Sequence, residues 1–166
     1  MKLRDIDPLN DAEIALVAER MGATLMEVEG QELYDFDWRV QRVRWHLDPA
    51  NTEARVVLGV DAEGAIVGHT TFRVEHEEGE QGRRFGLVST SYVIPSARRQ
   101  GLAAAFLQEA EAWFRARQLP LAATWTSSTN APLIALYARH GFAEDQRGPN
   151  DLTGTIMVRL AKKLSA

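Results

Sequence analysis

Six residues, Arg98-Arg99-Gln100-Gly101-Leu102-Ala103, have the types and the spacing to hold an anion. They follow an apolar, β-branched run, Leu87 to Ile94, which Pro95 stops because proline cannot donate to a sheet ladder. A helical pattern follows, with Leu102, Phe106, Ala110 and Trp113 on one face and Ser96 placed as its N-cap. The segment therefore reads as strand, tight turn, helix. The first N–H groups of a helix have no intrahelical partner and carry the positive end of the macrodipole. Gly101 and Ala103 remove side-chain bulk, so a phosphate can approach the backbone. Arg98 and Arg99 add positive charge in a chain whose net charge is −4.

A second constellation runs from Asn130 to Phe142, NAPLIALYARHGF. By residue type alone, Asn130 is a helix N-cap and Gly141 a C-cap. On the same reading Tyr137 is a packed tyrosine with a satisfied hydroxyl, and Phe142 belongs to the core.

Together the two segments resemble the GNAT acyltransferases. That family carries R/Q-x-x-G-x-G/A at the helix after its fourth strand, and further on N-x-x-A-x-x-L-Y-x-x-x-G-F. Leu133 stands where the second pattern often has alanine, which is a packing change. The resemblance implies that the amides of Arg98, Arg99, Gln100, Gly101, Leu102 and Ala103 hold the pyrophosphate of acetyl-CoA. The edge at Tyr92, Val93 and Ile94 would pair with the pantetheine arm as an added strand. Asn130 would bond that arm, and Tyr137 would reach the sulfur. A free tyrosine has a pKa of about 10 and a thiol about 8.5, so full transfer from tyrosine to thiolate is uphill by about 2 kcal/mol. Tyr137 is therefore read as a hydrogen-bond donor to developing sulfur charge.

The implied activity is an acetyl-CoA-dependent N-acetyltransferase acting on a primary amine of a small molecule or a peptide N-terminus. The amine attacks directly, with no covalent intermediate and no metal. The oxyanion would be met by a backbone N–H of the central strand, which bulges in this family; here that falls within Ser91 to Ile94. A non-catalytic acyl-CoA-binding sensor of the same fold is the alternative, since both motifs describe cofactor binding. Tyr137 favours the enzyme.

The amine must also lose a proton, and the central strand GLVSTSYVI has no carboxylate. The candidates are Glu75, His76 and Glu77 at the end of the preceding strand, His69 within it, and Asp35 or Asp37. Alternation puts His69 and Glu75 on one face and Phe72 and Val74 on the other, which makes Glu75 the first choice. A base acting through water is the other route.

The positioning elements follow in order. Lys2 to Ile6 reads as a short edge strand, and a helix runs from about Asp11 to Gly22. Glu29 to His46 reads as a second helical stretch that mixes acids (Glu32, Asp35, Asp37) with aromatics (Tyr34, Phe36, Trp38, Trp45). Its default reading is a surface helix with an aromatic core face. Strands follow at Arg55–Val60 and Ala65–Glu75, joined by the hairpin turn Asp61-Ala62-Glu63-Gly64. After a charged loop from Glu77 to Arg84 comes the central strand, and after its helix a strand from Leu121 to Thr126. The helix Asn130–His140 precedes a last pair of strands, Phe142–Gln146 and Thr155–Leu160, with a loop at Arg147 to Asp151 between them. Three successive strands before the long helix favour an α+β (α/β) fold with a mixed sheet. The resemblance gives it about six to seven strands, about four helices and the cofactor in a V-shaped opening between the two central strands.

With 166 residues and no internal repeat, a single domain spanning 1–166 is expected. No apolar run is long enough to span a bilayer, and the first ten residues lack the apolar core of a signal peptide. Zero cysteines exclude disulfides, thiolate metal sites and a cysteine nucleophile. These points favour the cytoplasm and no membrane partner, and the acidic balance argues against nucleic acid. A homodimer is compatible with the family.

Overall fold

The computed structural model describes residues 1–31, 33–79 and 82–164. Among these residues seven strands form, β1 (Lys2–Asp5), β2 (Ala54–Val60), β3 (Ile66–His76), β4 (Arg84–Val93), β5 (Leu121–Ser127), β6 (Ala143–Pro149) and β7 (Ile156–Lys163). Four α-helices are α1 (Asp11–Glu29), α2 (Phe36–Leu47), α3 (Leu102–Ala116) and α4 (Ala131–Arg139). The strands form one mixed sheet in the order β1-β2-β3-β4-β5-β7-β6. Every neighbour pair is antiparallel except β4 with β5, so α3 is the crossover that a parallel pair requires.

The central strands β2 to β5 bury both faces. Val57, Phe72 and Val88 point to the side of α3 and α4, where they meet Phe106, Phe114 and Tyr137. Val56 and Leu58 point to the other side, under Ile14, Val17 and Ala18 of α1 and Val43 of α2. Phe85, Leu87 and Ala123 form a smaller cluster on that second side, beyond the helices. Phe72, Phe106 and Phe114 are at most 1% exposed, and burying a side chain of that size contributes about 1.5–3 kcal/mol each.

The helix boundaries differ from the sequence expectation. α1 continues past Gly22 to Glu29 and ends at Gly30, which takes φ 72 and bonds back to the Met26 carbonyl. Gly22 is a packing site instead: a Cβ there would lie 2.8 Å from the Arg39 guanidinium carbon. α2 begins only at Phe36, capped by the Asp35 carboxylate, which accepts from the Trp38 amide. Its buried residues are Arg39, Val43 and His46, whereas Phe36 and Trp38 are exposed, so the aromatic core face is not the one that packs. Glu32 lies outside the described residues. Ser96 does not cap α3, because Pro95–Ala97 forms a separate 3₁₀ turn and Gly101 stands at the cap. On α3 it is Phe114, not Trp113, that is fully buried. β6 runs on to Pro149, so the loop before β7 is 150–155.

Candidate active site

β4 and β5 lie side by side for three pairs only: Gly86 with Ala122, Leu87 with Ala123, and Val88 with Thr124. Beyond that fork they diverge and leave an opening between residues 89–93 and 125–127. A bulge begins at the fork: Val88 faces Phe72 and Thr90 faces Thr71, which leaves Ser89 as the extra residue on β4. The bulge therefore lies just upstream of the Ser91–Ile94 stretch in which the sequence reading placed it.

The edge of β4 can be followed atom by atom. The Ile94 N–H donates to the Val67 carbonyl at 2.9 Å. Antiparallel alternation sends the Tyr92 amide to β3 as well and turns those of Ser91 and Val93 toward the opening. Of Tyr92, Val93 and Ile94, Val93 is thus the one whose amide faces the cleft. Its carbonyl accepts from Arg98 Nε at 2.8 Å.

The turn after β4 is shaped as its composition requires. Arg99 has φ 63 and Gly101 φ 84, both left-handed, and residues 98–101 are exposed. A Cβ added to Gly101 would meet no protein atom within 4 Å. Ala105 is the residue whose N–H bonds back to Gly101, so the amides of Leu102, Ala103 and Ala104 head α3 as its free donors. A turn of this shape at the mouth of the opening has the free amides with which an anion cradle is built. Arg98 does not point freely into it. Its guanidinium holds the Glu27 carboxylate with two contacts, 2.8 and 3.0 Å, and lies over the Tyr92 ring. Two residues on, Glu29 accepts from the Thr155 hydroxyl at 2.9 Å. The last turn of α1 therefore touches both the cradle and the β6–β7 loop.

Tyr137 stands at the base of the fork. It is 3% exposed, packs edge-on against Phe142 at 4.8 Å between ring centres, and has Thr124 beside its hydroxyl. Thr124 in turn donates to Val88 O at 2.8 Å. Burial pushes the Tyr137 hydroxyl well above the ordinary tyrosine range, and the Thr124 contact opposes that only in part. Such a group stays protonated and has one proton to offer an acceptor. Asn130 makes no side-chain cap; its Nδ2 donates to Thr126 Oγ1 at 3.0 Å, which leaves Oδ1 turned to other partners.

The candidate bases are not gathered here. Glu75 is paired with Arg73 at 3.1 Å and accepts from the His76 amide. It lies opposite Phe85, three residues before the fork on β4. Glu77 holds Arg159 at 2.9 Å, and Asp35 caps α2. His69 is on the same face as Glu75, as alternation predicts, but is fully buried, and burial lowers its pKa to about 3. Among the described residues no group of three His, Cys, Asp or Glu side chains could hold a metal ion.

Two features carry no sequence signal. One is the buried Arg159 on β7, 5% exposed at its side chain, held by Asp145 at 2.6 Å and by Glu77 at 2.9 Å. The other is His46, whose Nε2 lies 2.9 Å from Arg73 Nη1 and whose Nδ1 lies 2.9 Å from the Arg42 carbonyl. Arg73 can only donate, so His46 accepts at Nε2 and carries its proton on Nδ1. Burial lowers its pKa to about 4. Each depends on partners far apart in sequence.

The model of the "Acetyltransferase (GNAT) family" matches residues 15–142. The chain is similar to aminoglycoside N(6')-acetyltransferase type 1 of Klebsiella aerogenes, with 33% identity over 93 residues. That match covers 55% of this chain and spans 60% of the relative's length. Among solved structures, the NatC complex bound to Gag peptide and CoA is similar at a TM-score of 0.78 and 17% identity, covering 99% of this chain and 98% of that one. A ribosomal-protein-alanine N-acetyltransferase from Brucella melitensis gives 0.74 and 19%, over 99% and 100% of the two chains. A Salmonella typhimurium protein solved with acetyl-CoA gives 0.73 and 16%, over 100% and 95%. At these identities the structures speak for the fold.

Proposed function

The chain belongs to the acetyltransferase (GNAT) family, and on that premise we propose that it transfers the acetyl group of acetyl-CoA to a primary amine within a ternary complex. The observation that carries this reading is the placement of Tyr137, a protonated donor at the base of an opening whose mouth is the anion cradle. The residues fit the cosubstrate. The amides at Gly101 to Ala104 would take its pyrophosphate, and the open edge at Ser91 and Val93 its pantetheine arm. Asn130 Oδ1 would bond the same arm, and Tyr137 would face its sulfur. Acetyl-CoA supplies an activated acyl thioester there.

The protein's own part is positioning and charge stabilisation. Tyr137 donates to the sulfur as it takes on charge, without having to give up its proton. The Ser91 amide, which alternation turns toward the opening, would face negative charge developing on the acetyl oxygen. The acceptor is a small-molecule amine or a peptide N-terminus; an aminoglycoside is one case, as in the Klebsiella relative. We assign the activity to a single domain in the cytoplasm, with no membrane or nucleic-acid partner and with a homodimer as a compatible state. Glu75, Glu77 and Asp35 are each held in other contacts, and this favours a second reading, an acyl-CoA-binding module without turnover.

Thermal unfolding with and without acetyl-CoA, with ATP as control, tests the cosubstrate. Saturation at 100 times Kd adds about 2.7 kcal/mol of stability. A shift with acetyl-CoA and none with ATP is expected, followed by thiol release when an amine is added. A shift without thiol release across the amine panel selects the binding module, and no shift at millimolar acetyl-CoA removes both readings.

A further inference from the structure

Thr124 and Trp125 are consecutive on β5, and a strand sends consecutive side chains to opposite faces. Thr124 goes to the side of α3 and α4, beside Tyr137. Trp125 goes to the side of α1 and α2, in line with Ala123 of the Phe85–Leu87 cluster. Ala123 and Ser127, its neighbours on that face, are both 0% exposed, whereas Trp125 leaves 41% of its surface open. That is unusual for a residue in the middle of an interior strand, between β4 and β7. The cause is the fork. Pairing with β4 ends at Thr124, so one flank of the indole is the opening itself.

The other flank is Arg159, directly across the ladder from Trp125. Its guanidinium is held by Asp145 and Glu77 and lies over the Phe85 ring. One arginine between two carboxylates leaves this flank with a net negative charge. An amine that enters from the α1–α2 side therefore meets an indole face backed by negative charge. A carboxylate or an imidazole is absent from that position of β5, and indole has no basic atom. An aromatic face in a negative surround attracts an ammonium group through the ring quadrupole.

We propose that Trp125 is the acceptor-contacting specificity residue. Its indole receives the acceptor as a cation and holds the attached ring or chain against the opening, and the amine gives up its proton to water before it attacks the thioester. This rests on the reading that the opening between β4 and β5 holds the acyl thioester. The two faces of one strand then serve the two substrates separately. Thr124 supports the donor on Tyr137, and Trp125 selects the acceptor.

The test uses the full chain loaded with CoA and two probes, kanamycin and an alanine-led tetrapeptide amide. The indole N–H resonance of Trp125, assigned by its loss in W125F, is followed as each probe is added. It should shift saturably with at least one of them. W125A should raise the half-saturating probe concentration about tenfold, and W125F should restore most of the loss, while the acetyl-CoA midpoint shift stays as in the unsubstituted protein. The proposal is overturned if W125A binds the probe within about twofold of the unsubstituted protein, or if binding moves other signals but not Trp125. It is also overturned if neither probe binds at millimolar concentration. A Trp125 response without thiol release from acetyl-CoA would instead remove the enzyme reading and leave the acceptor contact standing.

Discussion

The Thr124 hydroxyl donates to the Val88 carbonyl at 2.8 Å, across the last pair at which β4 and β5 run side by side. That bond closes the apex of the fork, and it holds the threonine that faces Tyr137. Thr124→Val keeps the shape and removes the hydroxyl. Stability should fall by about 1 kcal/mol, the usual net value of one buried hydrogen bond. kcat should fall severalfold with KM for acetyl-CoA unchanged. Urea unfolding and steady-state kinetics check both, and an unaltered variant would deny the apex any role.

Tyr137→Phe should reduce kcat by 10-fold or more, roughly the loss of one hydrogen bond to a charged group, and leave acetyl-CoA binding within about twofold. The pH profile adds a second check. Because burial raises the folded pKa above the ordinary value, the phenol is still neutral at pH 10. No descending limb of kcat below about pH 10 should belong to this group. A limb that disappears in the phenylalanine variant would contradict that assignment.

Gly101→Ala tests the cradle. The left-handed backbone at φ 84 costs an alanine about 1–2 kcal/mol. The new methyl group would touch no protein atom, so the free protein should lose only that amount. Any further loss of acetyl-CoA stabilisation must come from the methyl group standing where a phosphate approaches. Melting curves with and without the ligand separate the two. If the acetyl-CoA shift survives intact, the phosphate does not lie on Gly101.

His46 and His69 set an acid limit. Burial depresses both, to about 4 and about 3, while the unfolded chain protonates near 6.5. The unfolded state then binds more protons, so stability is full above pH 6.5 and falls as the pH drops toward the folded values. Each histidine contributes about 1.4 kcal/mol per pH unit well inside that window. His46→Gln should remove one such contribution from the slope between pH 6 and pH 5, with stability followed by urea unfolding. An unchanged slope would mean that His46 is not neutral in the folded protein.

Both motifs were legible because each is a local device: a glycine turn that opens a helix, and a helix closed by Gly141. The strands were legible from β-branched runs between turn residues. Gly22 misled because a glycine that admits the Arg39 guanidinium looks, in sequence, like a glycine that ends a helix. Phe36 and Trp38 misled because aromatic type does not say which face of α2 meets the sheet; Val43 and His46 do. The outward face of Trp125 could not be read either. Its exposure depends on where pairing with β4 stops, and that is a property of two strands more than thirty residues apart.

The final turn of α1 works as a crossbar. Glu27 and Glu29 are two residues apart, about 200° round the helix, so their carboxylates reach opposite neighbours. One holds Arg98 at the cradle and the other holds Thr155 on the β6–β7 loop. A phosphate that competes for Arg98 loosens one end of the bar, and an acceptor that displaces the loop loosens the other. Each event then changes the cost of the other by the same factor, as thermodynamic reciprocity requires. Kanamycin affinity measured with and without CoA, in the unsubstituted protein and in Glu27→Gln, reads that factor directly. Equal ratios in the two proteins would show that the bar carries no coupling.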